Sequence, residues 1–316
     1  DMRRLDSITF KQLRALLAVE RTGSITGAAD ELHLTPPAVH SQIKGLEAAL
    51  DAAVLARAPD AAGSRLTAEG QIVLEAALRV EVALGQVDRQ IAAMRRGQSG
   101  SVTLGVVSTA KYFAPRLVKT LMTLCPDVEI VLRVGNRDTV IEGLERHSLD
   151  LAIMGRPPRQ PLVEAHPVGA HPHGLLAAPD HRLAGQAALS AADLADETFL
   201  SREQGSGTRI LMTRYLDRLG EGQVFRTVEM DSNETIKQAV MAGLGIAFLS
   251  LHTATAELAR GELVMLDAPQ LPIRRHWFVV RPAEMTARPA CERVTGAIRG
   301  LRGAFLPAVA LPGARA

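Results

Sequence analysis

The chain has 316 residues, 47% of them hydrophobic and 22% charged, which is enough to bury sizeable cores in two or three domains. Its longest near-apolar run, Val240 to Leu251, falls short of the roughly 20 residues that cross a bilayer, so no membrane role is expected. A formal charge of +2 gives no general affinity for polyanions, and two distant cysteines, Cys125 and Cys291, argue against structural zinc. They suit a reducing cytoplasm, and nothing at the N-terminus resembles an export signal.

Phe10, Leu13, Leu16, Leu17 and Val19 predict a first helix. Ser24 can cap a second, with Ile25, Ala28, Ala29 and Leu32 on one face, and His33 and Leu34 make a tight connection. Thr35 then caps a third helix that carries Pro36 at its first position and an apolar stripe of Val39, Ile43, Leu46 and Leu50. The opposite face shows His40, Ser41, Lys44 and Glu47, with Thr35, Pro36 and Pro37 at the tip. This is the geometry of a recognition helix entering a major groove by its N-terminal end. A plain helical hairpin with a solvated face has the same period, but the stretch at 64–70, SRLTAEG, adds a wing that returns to a long helix. Base reading is expected from Pro36, Pro37, His40 and Ser41, and phosphate holding from Lys44, Arg57, Arg65 and Thr67. Basic residues (Arg3, Arg4, Lys11, Arg14, Arg21, Lys44, Arg57, Arg65) and acidic ones (Asp1, Asp6, Glu20, Asp30, Glu31, Glu47, Asp51, Asp60) balance at eight each through Thr67. Because phosphate neutralisation supplies much of DNA affinity, two such domains should share one duplex.

From Thr67 to Arg96 there is no proline, and Val73, Ala77, Val80, Leu84, Val87, Ile91 and Met94 recur at alternating spacings of four and three. That pattern predicts a coiled-coil seam between two copies, against the alternative of a long helix packed on its own domain. The expected domains are a DNA-binding domain over 1–67, a pairing helix over 68–96, a hinge over 97–101 and an effector domain over 102–316. In the last, strands at 102–107, 128–134 and 150–154 alternate with helices at 111–124 and 138–147, as in parallel βαβ units. A second unit has strands at 174–177, 198–200, 225–229 and 246–249 with helices at 208–219 and 233–242. A strand at 276–280 and a helix at 289–305 bring the chain back. Lobe I is thus about 102–166 with 267–305, and lobe II about 167–266. The tail from Leu306 should fray.

Ligands of such sheets sit at the C-terminal ends of strands and at helix N-termini. This places Ser108, Thr109, Lys111, Asn136 and Arg156 on one side of a cleft and Arg202, Gln204, Ser206 and Thr208 on the other, with Arg137 close by. An anion is the matching ligand. The competing reading is that these basic residues merely pair with Glu142, Glu203 or Asp231. Ser108-Thr109-Ala110-Lys111 matches S-x-x-K and Asp231-Ser232-Asn233 echoes a β-lactamase element, but no K-T-G follows, so catalysis is not expected. His166, His171 and His173 are separated by prolines and read as a solvated loop rather than a metal site.

The order FKQLRALLAVERTGSITGAADELHLTPPAVHSQIKGLEAAL, followed by RLTAEG, resembles the LysR-type transcriptional regulators. It departs from the family's usual L-F-x-R run, having Val54, Leu55, Ala56 and Arg57 there. The resemblance implies an all-α winged helix-turn-helix with a long linker helix, then a two-lobed α/β effector domain like the periplasmic binding proteins. It also implies homodimers or homotetramers on a double-stranded operator with an imperfect inverted repeat, contact with RNA polymerase, and no cofactor beyond a small effector. Two further stretches, 108–159 and 229–253, resemble the family members that activate Calvin-cycle carbon-fixation genes. For those the implied effector is a phosphorylated metabolite or a nucleotide.

Overall fold

In the computed structural model, which describes residues 6–56, 64–96, 98–285 and 288–310, Thr9 opens the first helix by a reciprocal cap. Its hydroxyl accepts from the Gln12 N–H, and its own N–H donates to the Gln12 side chain at 2.8 Å. Helix α1 (Phe10–Thr22) stops at Gly23, whose φ of 75° is the left-handed conformation that glycine adopts without strain. Ser24 caps α2 (Ile25–Leu32), accepting from Gly27 N–H at 3.0 Å, and Thr35 caps α3 (Pro36–Leu50). Leu16, Val19, Ala28, Val39, Ile43 and Leu46 close around one core. A wing follows, marked by the antiparallel bridge of Leu55 with Leu66.

Thr67 then starts α4 (Ala68–Arg95), its hydroxyl accepting from Gly70 N–H at 2.9 Å. Two of the expected seam residues have another role. Ala77 is fully buried and Val73 packs beside it in the core of the helix-turn-helix, because the start of the returning helix joins the apolar cluster of the first three helices. The rest of the stripe, Val80, Leu84, Val87, Ile91 and Met94, is 39% to 68% exposed.

The chain divides into two compact units, Asp1–Arg89 and Gln90–Ala316. In the second, β1 (Gly100–Val107), a 3-10 turn (Ser108–Tyr112), α5 (Ala114–Leu124), β2 (Val128–Gly135), α6 (Arg137–Glu145) and β3 (Leu151–Met154) form lobe I, with β1 parallel to both β2 and β3. Strand β4 (Val163–Ala177) leads to α7 (Ala191–Leu194), β5 (Thr198–Arg202), α8 (Gly207–Gly220), β6 (Arg226–Met230), α9 (Asn233–Met241), β7 (Ile246–Ser250), α10 (Thr255–Arg260) and β8 (Val264–Met265) of lobe II. Strand β9 (Ile273–Pro282) and α11 (Pro289–Gly300) return to lobe I. Strand β9 pairs with β3 near its end, β4 pairs with β7 near its end, and β4 and β9 run antiparallel to each other along their length. Those two strands are the only crossings in the sheet order β2-β1-β3-β9-β4-β7-β5-β6 of the described residues.

Three expectations shift. Strands β4 and β9 are longer than the pattern indicated, since a register shift between Pro167 and Gly169 absorbs a proline that cannot donate to the ladder. The first helix of lobe I begins at Ala114, because Pro115 is tolerated only in a first turn. The tail does not fray at Leu306: Phe305 is buried with Leu306 in the lobe I core, and Val309 packs on the core of lobe II.

A Cβ on Gly70 would stand 2.1 Å from the Val54 carbonyl oxygen, which is wing backbone. Gly70→Ala is therefore expected to destabilise the DNA-binding unit by about 1–3 kcal/mol, read as an earlier thermal transition.

Candidate functional site

The C-terminal ends of β1 and β3 and the N-terminus of α8 converge on a cavity of about 390 Å³. Ser108, Thr109, Gly155 and Arg156 line it from lobe I, and Ser206, Gly207 and Thr208 from lobe II. Around them stand five arginines, Arg137, Arg156, Arg159, Arg214 and Arg275, and no acidic side chain. Arg137 donates to the Arg156 carbonyl at 2.6 Å. Burial, then the charge of Arg156, pushes its guanidinium below the ordinary value; Arg214 acts in the same direction and Asp138 opposes them. Like charges held this close, with hydroxyls and a helix N-terminus beside them, form a site for an oxyanion.

The inner wall is aromatic. His171 and His173 line the cavity, and both are buried in β4 rather than solvated in a loop as the sequence suggested. The cause is the crossing itself, which stacks the His171 ring on Trp277 with centroids 3.7 Å apart and sets His173 at 4.1 Å. Trp277 donates to His252 Nδ1 at 3.0 Å, and Phe113 meets its edge at 5.1 Å. Burial pushes His173 down to about 3 and His252 to about 4, and His171 well below the usual range, so all three are neutral near pH 7.

Of the residues expected to hold an effector, Ser108, Thr109, Arg156, Ser206 and Thr208 line the cavity. Lys111, Asn136, Arg202 and Gln204 do not. Lys111 stands 5.3 Å from the Tyr112 ring centre. Asn136 caps α6, accepting from Thr139 N–H at 3.0 Å. Arg202, 3% exposed at the end of β5, bonds Glu203 at 2.7 Å, Asn233 at 2.6 Å and the Ser108 hydroxyl at 3.1 Å. It bridges the lobes through Ser108 and pairs with Glu203, the partner that the competing reading named. Arg214 was legible in the sequence and missed: Gly207, Ile210, Leu211 and Arg214 follow helical spacing from Ser206. Arg159, Arg275 and the histidines reach the cavity only through the crossing strands and their neighbouring loop, which no local pattern reveals.

In the first unit Thr35, Pro36, Pro37, His40, Ser41 and Lys44 are exposed on α3, and Arg65 on the wing. Arg57 lies outside the described residues. Lys44 pairs with Glu47 at 2.6 Å. Glu47 is no solvated face residue, since it accepts from the N–H groups of Val54 at 3.0 Å and Leu55 at 3.4 Å, tying α3 to the wing. The Thr67 hydroxyl spends its one donor on the Ala53 carbonyl at 2.6 Å, which removes the hydrogen expected to meet a phosphate.

Two family profiles match: "Bacterial regulatory helix-turn-helix protein, lysR family" over residues 10–71 and "LysR substrate binding domain" over residues 95–301. The chain is 58% identical over 306 residues to the HTH-type transcriptional regulator CbbR of Cereibacter sphaeroides, covering 97% of this chain and 99% of that protein. It is 38% identical over 275 residues to the RuBisCO operon transcriptional regulator of Allochromatium vinosum, covering 86% and 89% respectively. The regulatory domain of Synechocystis PCC6803 CcmR, solved in complex with 2-PG, has a TM-score of 0.61 and 34% identity over 64% of this chain and 97% of its own.

Proposed function

The chain belongs to the LysR family of DNA-binding transcriptional regulators, and from that premise we propose that it controls carbon-fixation genes in response to an anionic metabolite held in the arginine-lined cavity. The observation that carries this reading is five arginines lining one cavity whose lining includes no carboxylate. A phosphorylated metabolite or nucleotide supplies the missing charge through charge-assisted hydrogen bonds. The 2-PG bound by the CcmR regulatory domain is an effector consistent with that chemistry. Because the cavity is walled by both lobes, a bound anion stabilises one lobe pose over another, and regulation requires only that the poses differ in affinity.

The exposed remainder of the α4 stripe supports pairing of two copies, and pairing offsets the weak electrostatic attraction of a neutral DNA-binding domain. A two-fold dimer matches an operator with an imperfect inverted repeat. Assembly into tetramers and contact with RNA polymerase would follow the family pattern.

Calorimetry of the full chain against phosphoglycolate, ATP and NADPH tests the ligand class. Arg137→Ala and Arg214→Ala should each lose about tenfold or more in affinity, whereas Lys111→Ala should bind as the parent does. Exclusive binding of an uncharged compound would overturn the reading. On DNA, His40→Ala should relax preference at particular operator positions by about 1–3 kcal/mol, while Lys44→Ala weakens all sequences alike and flattens the salt slope by roughly one. An equal loss on every sequence for both variants removes the base-reading role. Val80→Asp with Leu84→Asp places four carboxylates in one dimer seam, so light scattering should show a lower mass and operator binding should fail; an unchanged oligomer rejects the seam.

A further inference from the structure

His171 has a buried nitrogen with nothing to bond. Its Nε2 lies 2.9 Å from the Ser250 hydroxyl, which is itself fully buried, while Nδ1 has no hydrogen-bond partner. A buried polar atom left unpaired costs about 1–3 kcal/mol, so each one in a folded protein asks for an explanation. The position of this one supplies it. A Cβ placed on Gly155 would stand 3.1 Å from Nδ1, so the nitrogen faces the end of β3, and both residues line the arginine-rich cavity. Glycine at 155 keeps a side chain off that nitrogen, which the surrounding atoms shield from solvent.

The two placements of the proton on that ring differ in what they offer the cavity. If Nε2–H donated to Ser250, the serine hydrogen would lack an acceptor among the described residues and the Nδ1 lone pair would lack a donor. If Ser250 donates to Nε2 instead, the serine lone pairs lack a donor and the Nδ1–H lacks an acceptor. The count is equal, but only the second arrangement gives an anion in the cavity a hydrogen to accept. It turns toward the cavity a neutral donor, fixed in direction by the stack on Trp277.

We propose that His171 Nδ1–H is a binding and specificity-determining group of this pocket, taking an innermost oxygen of the phosphoryl or carboxylate group whose charge the arginines neutralise. The inference rests on the anionic reading of the cavity and adds to it a role for a residue that carries no charge. Flexible guanidinium groups collect any anion of suitable charge, whereas a donor clamped between an indole and a serine selects for an oxygen at one place. Gly155 is part of the same device, because a side chain there would stand against the ring between it and the ligand.

The two amide replacements separate binding from structure. In His171→Asn the amide nitrogen replaces Nδ1 and the Ser250 contact is lost; in His171→Gln the amide replaces Nε2 and the cavity donor is lost. Full-length chain is titrated with phosphoglycolate, with thermal melts of the unliganded proteins alongside. His171→Asn is expected to keep affinity within about threefold, while His171→Gln and Gly155→Ala lose about tenfold or more. A purely structural histidine gives the reverse order, with His171→Gln binding normally, and overturns the proposal. Nitrogen NMR of the histidine-labelled chain, assigned with His171→Gln, should find Nδ1 protonated and moved by saturating phosphoglycolate; a bare or unmoved Nδ1 also overturns it. If Arg137→Ala and Arg214→Ala lose binding but His171→Gln does not, the histidine assignment alone falls. If the parent binds no anion, the anionic pocket falls and takes this assignment with it.

Discussion

The antiparallel pairing of β4 with β9 is the constraint on which the effector unit depends. Each strand begins in one lobe and ends in the other, so their ladder, Val163 with Pro282 at one end and His173 with Ile273 at the other, fixes both lobes to one frame. Trp277, fully buried on β9, faces His171 on β4 and Phe113 from the turn after β1, which joins the crossing to the lobe I core. The C-terminal tail spans the same junction, with Leu306 against Gly169 and Val309 on lobe II. A Cβ at Gly169 would stand 2.4 Å from Leu306, so the strand can run beneath the tail only because it lacks a side chain there.

The electrostatics of the cavity follow from that frame. Burial, Arg156 and Arg214 lower the guanidinium of Arg137, and Asp138 opposes them without restoring it. A few residues away Arg202 is treated in the opposite manner, buried but bonded to Glu203, Asn233 and Ser108. Desolvated charge is tolerated when it is paired and penalised when it is not. The cavity lining therefore carries an excess of positive charge, which the proposed anion would relieve, while Arg202 bonds across the lobes to Ser108.

Much of this was legible in the residues, and the parts that were not have a common cause. Caps at Ser24 and Thr35, the apolar stripe of α3 and the βαβ alternation are local patterns, and they appear where spacing put them. Ser108, Arg156, Ser206 and Thr208 could be placed because strand ends and helix starts are local too. His171, Arg159 and Arg275 could not, since the register of β4 on β9 is set by residues about a hundred positions apart. The prolines that punctuate β4 argued for a loop, but a register shift follows Pro167 and Pro172 lies in the regular ladder opposite Arg274. Arg202 pairs with Glu203, which one of the two readings of the sequence allowed, and the sequence alone does not choose between them.

The DNA-binding unit shows how much a neutral domain must obtain from shape. Glu47 removes part of the positive charge of Lys44 on the very helix that should approach phosphate, and a design for raw affinity would not put it there. Its second task explains its presence, for the same carboxylate receives two wing N–H groups and so holds the wing at a set angle to α3. Affinity is exchanged for geometry. A single weak and accurately shaped reader discriminates between sequences only when its binding is multiplied by a second copy on the same duplex. On the proposed pairing, the exposed stripe from Val80 to Met94 would supply that copy, and an effector that altered the pose of the pair would then act on spacing.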